Sequence, residues 1–221
     1  MARLTTVSLV VFACLAMLAL PGYCAAESTT SAPLQNKQPG ISETPIGDLV
    51  ADAFRSQMGT DVAFVAAGDL KASDTELPAG KVSSVDVSAF LAYPDDTLTV
   101  LALNGKTIID ALERSVSGYP RPGLGFLQVS GLKYSFEAKK KPGERITSVT
   151  ISDKPISPDK TYTVAVMKSL ADGALGYWKV WSKSNIVAKT DVVSSSTAIE
   201  RFMLANSKLN YSSLNRISVI K

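Results

Sequence analysis

Residues 44–66 read Thr-Pro-Ile-Gly-Asp-Leu-Val-Ala-Asp-Ala-Phe-Arg-Ser-Gln-Met-Gly-Thr-Asp-Val-Ala-Phe-Val-Ala. Thr44 is an N-cap residue, and Pro45 after it suits the first helical position. Ile46, Leu49, Val50, Ala53 and Phe54 then recur at helical spacing until Gly59 stops them. The spacing predicts a helix with one apolar stripe. Residues 62–66 follow as an unbroken apolar run ending at Gly68, which is the pattern of a buried strand.

Working downstream, residues 85–91 predict a weaker helix capped by Ser83 or Ser84, and 97–103 a strand. Asn104-Gly105 turns the chain into a second firm helix over 106–116, with Ile108, Ile109, Leu112 and Val116 on one side and Gly118 at its end. After the loop 119–125, four strand-like stretches come at 126–129, 132–136, 145–151 and 161–166. Lys141-Pro142-Gly143 and Ser157-Pro158-Asp159 supply turn chemistry between them. Thr197 to Glu200 has capping-box spacing and opens a short helix with Ile199, Phe202 and Met203 inward, and 216–220 is a last strand. Helices and strands mix without strict alternation and without an internal repeat. The expected class is therefore α+β, a mixed β-sheet with packed helices.

Upstream, residues 27–42 are rich in Ser, Thr, Pro and Gln with no apolar period, and predict a flexible linker over 27–43 before a domain at 44–221. Residues 4–26 carry no charge, follow Arg3, and hold an apolar stretch at 9–20 closed by Pro21-Gly22. This reads as a secretory signal peptide over 1–26. Small residues at Cys24 and Ala26 put cleavage after Ala26, which makes the protein periplasmic or secreted. The rival reading is an uncleaved anchor, because 4–20 approaches the shortest apolar run that spans a bilayer. Tyr23 is bulky where a lipoprotein leader wants a small residue, which argues against lipid on Cys24. The only two cysteines, Cys14 and Cys24, lie in the leader, so the exported chain has neither thiol nor disulfide and depends on its core.

Composition narrows the function. With 221 residues, 46% hydrophobic and 19% charged, most of the chain is ordinary globular protein. A net charge of +3, with Lys139-Lys140-Lys141 as the densest basic run, does not advertise nucleic-acid binding. Histidine is absent, which removes Ser-His-Asp and Cys-His catalysis and imidazole-ligated metal. Gly105-Lys106-Thr107 sits where a phosphate loop would, but Val100 stands where that loop needs glycine. Ser130 and Lys133 have the spacing of a serine–lysine pair, yet they flank Gly131 and enter a strand, so they do not share a helix face. Asp95-Asp96 after Tyr93-Pro94 reads as a polar turn rather than a metal or acid–base pair. Gly173 to Tyr177, followed by Trp178 and Trp181, is either a set of half-buried strand residues or the lip of a pocket.

Several segments, in order, resemble the C-terminal domain of the secreted 5'-nucleotidase family. They are Thr44 to Ala53, Asp61 to Val65, Leu98 to Gly105, Phe126-Leu-Gln-Val-Ser-Gly131, Arg145 to Val149, Tyr162 to Ala165, Gly173 to Tyr177, and Arg216-Ile217. The resemblance implies the substrate-binding half of an enzyme whose metal-bearing phosphatase domain has no counterpart in this chain. In that family arginines hold phosphate or carboxylate groups, two aromatic rings sandwich a base, and an Asp sits beside the sugar. Against the family's Asn-Gly-Gly-Gly-Ile-Arg this chain has Ala66-Ala-Gly-Asp-Leu-Lys71, so Lys71 keeps the charge but loses the bidentate fork. Against Pro-Phe-Gly-Asn it has Tyr93-Pro94-Asp95-Asp96, which puts the first ring on Pro94 with Tyr93 adjacent. The second ring falls near Ser169 and the sugar-binding Asp near Leu175. A base–aromatic stack is worth roughly 1–3 kcal/mol, so losing two weakens nucleotide binding by about thirty- to ten-thousand-fold.

Three expectations follow. The first is a stand-alone binding module with no catalytic residue, metal or cofactor, taking a nucleotide-like small molecule in a pocket of Gly68, Lys71, Tyr93, Asp96, Gly131 and Tyr177. The second is the substrate-binding part of a nucleotidase whose metallophosphatase subunit is a separate chain. The third is a structural envelope domain. None of the three involves nucleic acid, and the membrane enters only through the leader before cleavage.

Overall fold

The computed structural model describes residues 25–187, 192–213 and 215–220. All but the last two residues of the expected leader lie outside them. In chain order the elements are β1 (Glu27–Thr30), β2 (Leu34–Asn36), α1 (Pro45–Met58), β3 (Val62–Ala66), β4 (Ser73–Leu77), β5 (Gly80–Ser83), α2 (Ser84–Ser88), β6 (Leu98–Asn104), α3 (Gly105–Val116), β7 (Leu127–Ser130), β8 (Leu132–Glu137), β9 (Ile146–Ile151), β10 (Lys154–Pro155), β11 (Thr161–Met167), α4 (Lys168–Ala171), β12 (Ile186–Val187), α5 (Ser195–Ala205), β13 (Lys208–Leu209) and β14 (Ile217–Ile220).

β3 has no solvent face because its two sets of side chains enter two different cores. Val62, Phe64 and Ala66 join one cluster, while Ala63 and Val65 join the other. It lies in a five-stranded sheet of order β12-β6-β11-β3-β7, parallel to β11 and antiparallel to β7. One face of this sheet packs α1 and α5 through Ile46, Leu49, Phe54, Ile199 and Met203. The other packs α3 and a four-stranded sheet, β10-β9-β8-β14, through Ile108, Leu112, Tyr134, Phe136 and Val149. Each such large apolar side chain, fully buried, contributes about 1.5–3 kcal/mol. The class is α+β with mixed sheets, as the sequence predicts.

The helix ends follow local chemistry. The Thr44 side chain accepts from Gly47 N at 3.0 Å, Pro45 opens α1, and Gly59 closes it in the left-handed region at φ 59°. Asn104 caps α3 by accepting from Thr107 N at 2.8 Å. α5 begins earlier than the capping-box spacing suggests. Ser194 is its cap, accepting from Thr197 N at 3.2 Å, and Thr197 sits one turn inside. The weaker helix expected at 85–91 shortens to α2 and gives way to turns.

The linker expected over 27–43 takes a different form. β1 is the centre of a three-stranded sheet, pairing Glu27 with Ser83 and Thr30 with Leu209, and β2 pairs Leu34 with Leu77. Leu34 and Asn36 are wholly buried. Thr44 Oγ1 donates to Asn36 Oδ1 at 2.8 Å, and the buried Gln128 holds the carbonyls of Pro39 and Ser42 at 2.9 and 2.7 Å. These polar residues carry no period because their partners, β4, β5, β13 and Gln128, lie far away in sequence.

Candidate functional site

The segment leaving β3 is fixed through its main chain. Ala67 N donates to Phe126 O and Gly68 N to Leu124 O, both at 2.8 Å, while Lys71 N donates to Phe90 O at 2.7 Å. The buried Asp69 carboxylate accepts from Ala66 N at 3.0 Å and closes the turn Ala67–Asp69. Burial pushes that carboxyl up to about 7, the Ala66 bond opposes the rise, and the charge of Asp96 adds to it. Asp69 therefore titrates near neutrality beneath this surface.

Beside it, Tyr93 to Asp96 makes the expected turn, with Asp96 N donating to Tyr93 O at 3.1 Å. The Asp96 carboxylate accepts from Thr97 N at 2.8 Å and reaches the amide of Ser169, at the start of α4, at 3.3 Å. From behind, Ser195 Oγ donates to the carbonyls of Tyr93 and Pro94 at 3.0 and 2.9 Å, and Ser196 N donates to Pro94 O. The result is a groove of about 590 Å³ lined by Tyr93, Pro94, Asp95, Asp96 and Ser169. Tyr93 is 60% exposed and free to stack.

The six residues expected to share one pocket are distributed. Tyr93 and Asp96 line the groove. Lys71 is exposed nearby, with Nζ donating to Ala89 O at 3.2 Å. Gly68 lies at the base of the turn, where a Cβ would meet Leu175 at 3.2 Å and Leu124 at 3.3 Å. Two leucines thus occupy the space over the glycine, one of them at the position the resemblance gives to a sugar-binding Asp. Tyr177 is wholly buried, stacked on Trp181 at 4.6 Å, with its hydroxyl donating to Gly125 O at 2.7 Å. It braces the loop behind the surface instead of lining it, so the ring serves packing and does not form a pocket lip. Gly131 is at the far end of β3, because β7 runs antiparallel and places Ser130 opposite Ala63.

Two features escape a reading of the sequence. Leu124 looks like a stray apolar residue in a loop, and only its position over Gly68 shows what it covers. Glu43 looks like the end of a linker, yet its carboxylate accepts from the amides of Asn215, Arg216 and Ile217 at 2.9–3.1 Å and ties β14 to the start of α1. Among the described residues no cluster of three or more His, Cys, Asp or Glu is placed to hold a metal, and no helix is long and apolar enough to cross a membrane.

This two-core α+β lobe with mixed sheets has the fold of the C-terminal domain of 5'-nucleotidases. The chain belongs to the family described as 5'-nucleotidase, C-terminal domain, whose profile matches residues 25–182. The trifunctional nucleotide phosphoesterase protein YfkN of Bacillus subtilis is 31% identical over 152 residues, covering 65% of this chain and 10% of that protein. The 5'-nucleotidase of Homo sapiens is 26% identical over 153 residues, 61% of this chain and 26% of that one. The crystal structure of a 5'-nucleotidase precursor from Thermus thermophilus superposes with a TM-score of 0.74 at 25% identity, over 89% of this chain and 39% of that chain. The chain therefore spans well under half the length of these relatives.

Proposed function

We propose that this protein is an exported binding module that holds a small, flat, nucleotide-like ligand in the Tyr93–Ser169 groove and does not hydrolyse it alone. The observation that carries this reading is the Asp96–Ser169 contact, which brings together the two segments that the resemblance gives to the base-stacking rings. Tyr93 offers a ring at the rim, and Lys71 a charge nearby. Leu124 and Leu175 over Gly68 favour a ligand with an apolar edge where a nucleotide presents ribose hydroxyls, since a buried hydroxyl without a partner is costly. Calorimetry against AMP, adenosine and UDP-glucose tests this. Saturable heat that falls in Tyr93→Ala and Lys71→Ala supports the reading, and its absence for all three ligands refutes it. Phosphate release from AMP with added divalent metal, tracking the purified protein, refutes the non-catalytic half.

A second reading follows from the coverage of the relatives, in which the matched region accompanies a much longer chain. This module then presents substrate to a separate metallophosphatase subunit. Phosphate release that appears only when both chains are mixed distinguishes it from the first reading.

A further inference from the structure

At the other end of β3 the chain passes from β7 to β8 through Gly131, at φ +79°. A Cβ there would run into the Asp61 carbonyl and stand 2.8 Å from Cδ of Arg55, so only glycine lets the Arg55 side chain lie across this junction. Arg55 Nε donates to Ser130 Oγ at 2.8 Å, and Ser130 Oγ donates to Asp52 Oδ1 at 2.5 Å. Asp52 is gripped in turn by Arg216 at 2.8 and 2.9 Å. Ser130 is wholly buried, so the inner end of the Arg55 guanidinium is anchored while its two terminal nitrogens remain as a fork. No carboxylate pairs with Arg55 among the described residues, whereas Arg216 is paired with Asp52 and Lys133 with Asp153.

Arg55 borders a cleft of about 300 Å³ that Asp52, Lys133, Thr150, Ser152, Asp153 and Arg216 also line. The Lys133–Asp153 pair spans 3.1 Å on exposed side chains, and such surface pairs exchange partners at little cost. The cleft thus sets three cations, Arg55, Lys133 and Arg216, against two carboxylates, Asp52 and Asp153. Because Asp52 is paired with Arg216 and Asp153 with Lys133, Arg55 is the cation among the described lining residues without a carboxylate of its own, beside the hydroxyls of Thr150 and Ser152. We propose that it binds a small oxyanion of the phosphate class, held end-on by the Arg55 fork with Lys133 as the second cation. β3 separates this cleft from the Tyr93 groove by roughly 15 Å, so the two sites are independent.

Titration calorimetry of the full chain with inorganic phosphate at low ionic strength is expected to show saturable binding with Kd on the order of 1 mM. Arg55→Gln should weaken it by at least about tenfold and Lys133→Gln by about threefold, both on exposed side chains that leave the circular dichroism spectrum unchanged. Lys71→Ala, at the opposite end of β3, should leave the phosphate heat intact. The proposal is overturned if wild type shows no saturable heat, if Arg55→Gln binds as wild type does, or if Lys71→Ala removes the heat.

Discussion

At the groove end of β3, the turn Ala67–Asp69 is held mainly by backbone amides and carbonyls, with leucines closing the space above it. At the other end Glu43, Asp48, Asp52, Arg55, Ser130, Tyr211 and Arg216 are joined side chain to side chain or side chain to backbone. Main-chain bonds do not depend on which side chain a position carries. On the correspondence that the resemblance implies, the groove end can therefore carry Lys71 in place of an arginine, Pro94 and Ser169 in place of aromatic rings, and Leu175 in place of an aspartate while its path is preserved. The inner members of the charged end, Glu43, Asp52 and Arg216, have no such freedom, because removing one leaves another unsatisfied, whereas Arg55 is exposed and Ser130 keeps Asp52 without it.

Asp48 shows how tightly that end is set. It is buried, faces the Glu43 carboxylate, and lies 3.4 Å from Arg216 Nε. Burial pushes its carboxyl up to about 9, against the opposing charge of Arg216. Burial outweighs the ion pair because Arg216 spends its better geometry on Asp52, at 2.8 and 2.9 Å. A protonated Asp48 beside Glu43 is consistent with two carboxylates that cannot both be charged at this distance from solvent.

The largest effect should come from cutting the charged end at its centre. Arg216→Met leaves the Asp52 carboxylate without its cation, while the backbone amide of residue 216 still serves Glu43, and is expected to cost about 2–4 kcal/mol in urea unfolding, the partial exposure of Arg216 keeping it below a fully buried pair. A loss under about 0.5 kcal/mol would mean the network is decoration.

Next comes Asp48→Asn, which should stabilise. The unfolded carboxyl ionises near 3.8 and the folded one near 9, so the folded state binds the extra proton between them. Wild-type stability then falls as pH rises across that window, by up to about 1.4 kcal/mol per unit from this group, and levels off above it. Asp48→Asn removes that slope. The variant's advantage should grow from pH 5 to pH 8, and an advantage independent of pH counts against a protonated Asp48.

A smaller effect concerns the chain's start. Ala26 is buried, and its carbonyl accepts from Ser84 N at 2.8 Å. A chain beginning at Glu27 should be about 1–3 kcal/mol less stable than one beginning at Ala25, because the buried Ser84 amide loses its partner. Equal melting temperatures would show that the amide finds another. The smallest change in stability belongs to the groove, where Tyr93→Ala should stay within about 0.5 kcal/mol of wild type while ligand heat falls. A large loss would make that ring part of the fold and erase the contrast between the two ends.

Local signals carried far. Thr44, Pro45 and Gly59 mark both ends of α1, Asn104 marks the start of α3, and the apolar run of β3 announces burial on both faces. The Tyr93–Asp96 turn was legible too, since a turn is closed by residues adjacent in sequence. The shared pocket was only partly legible. Gly131 and Tyr177 each end a family-like segment, yet an antiparallel strand carries one to the far end of β3 and a ring stack takes the other into the core.

What the sequence determined alone is the α+β class, the caps and periods of the long elements, and the absence of histidine chemistry, because each depends on neighbours within about a turn or on composition. Tertiary structure decided the order of 27–36, the leucines over Gly68, and the union of Glu43, Asp52 and Arg216. Those depend on partners far apart in the chain, and a polar residue carries no local mark of the distant group that will satisfy it when both are buried.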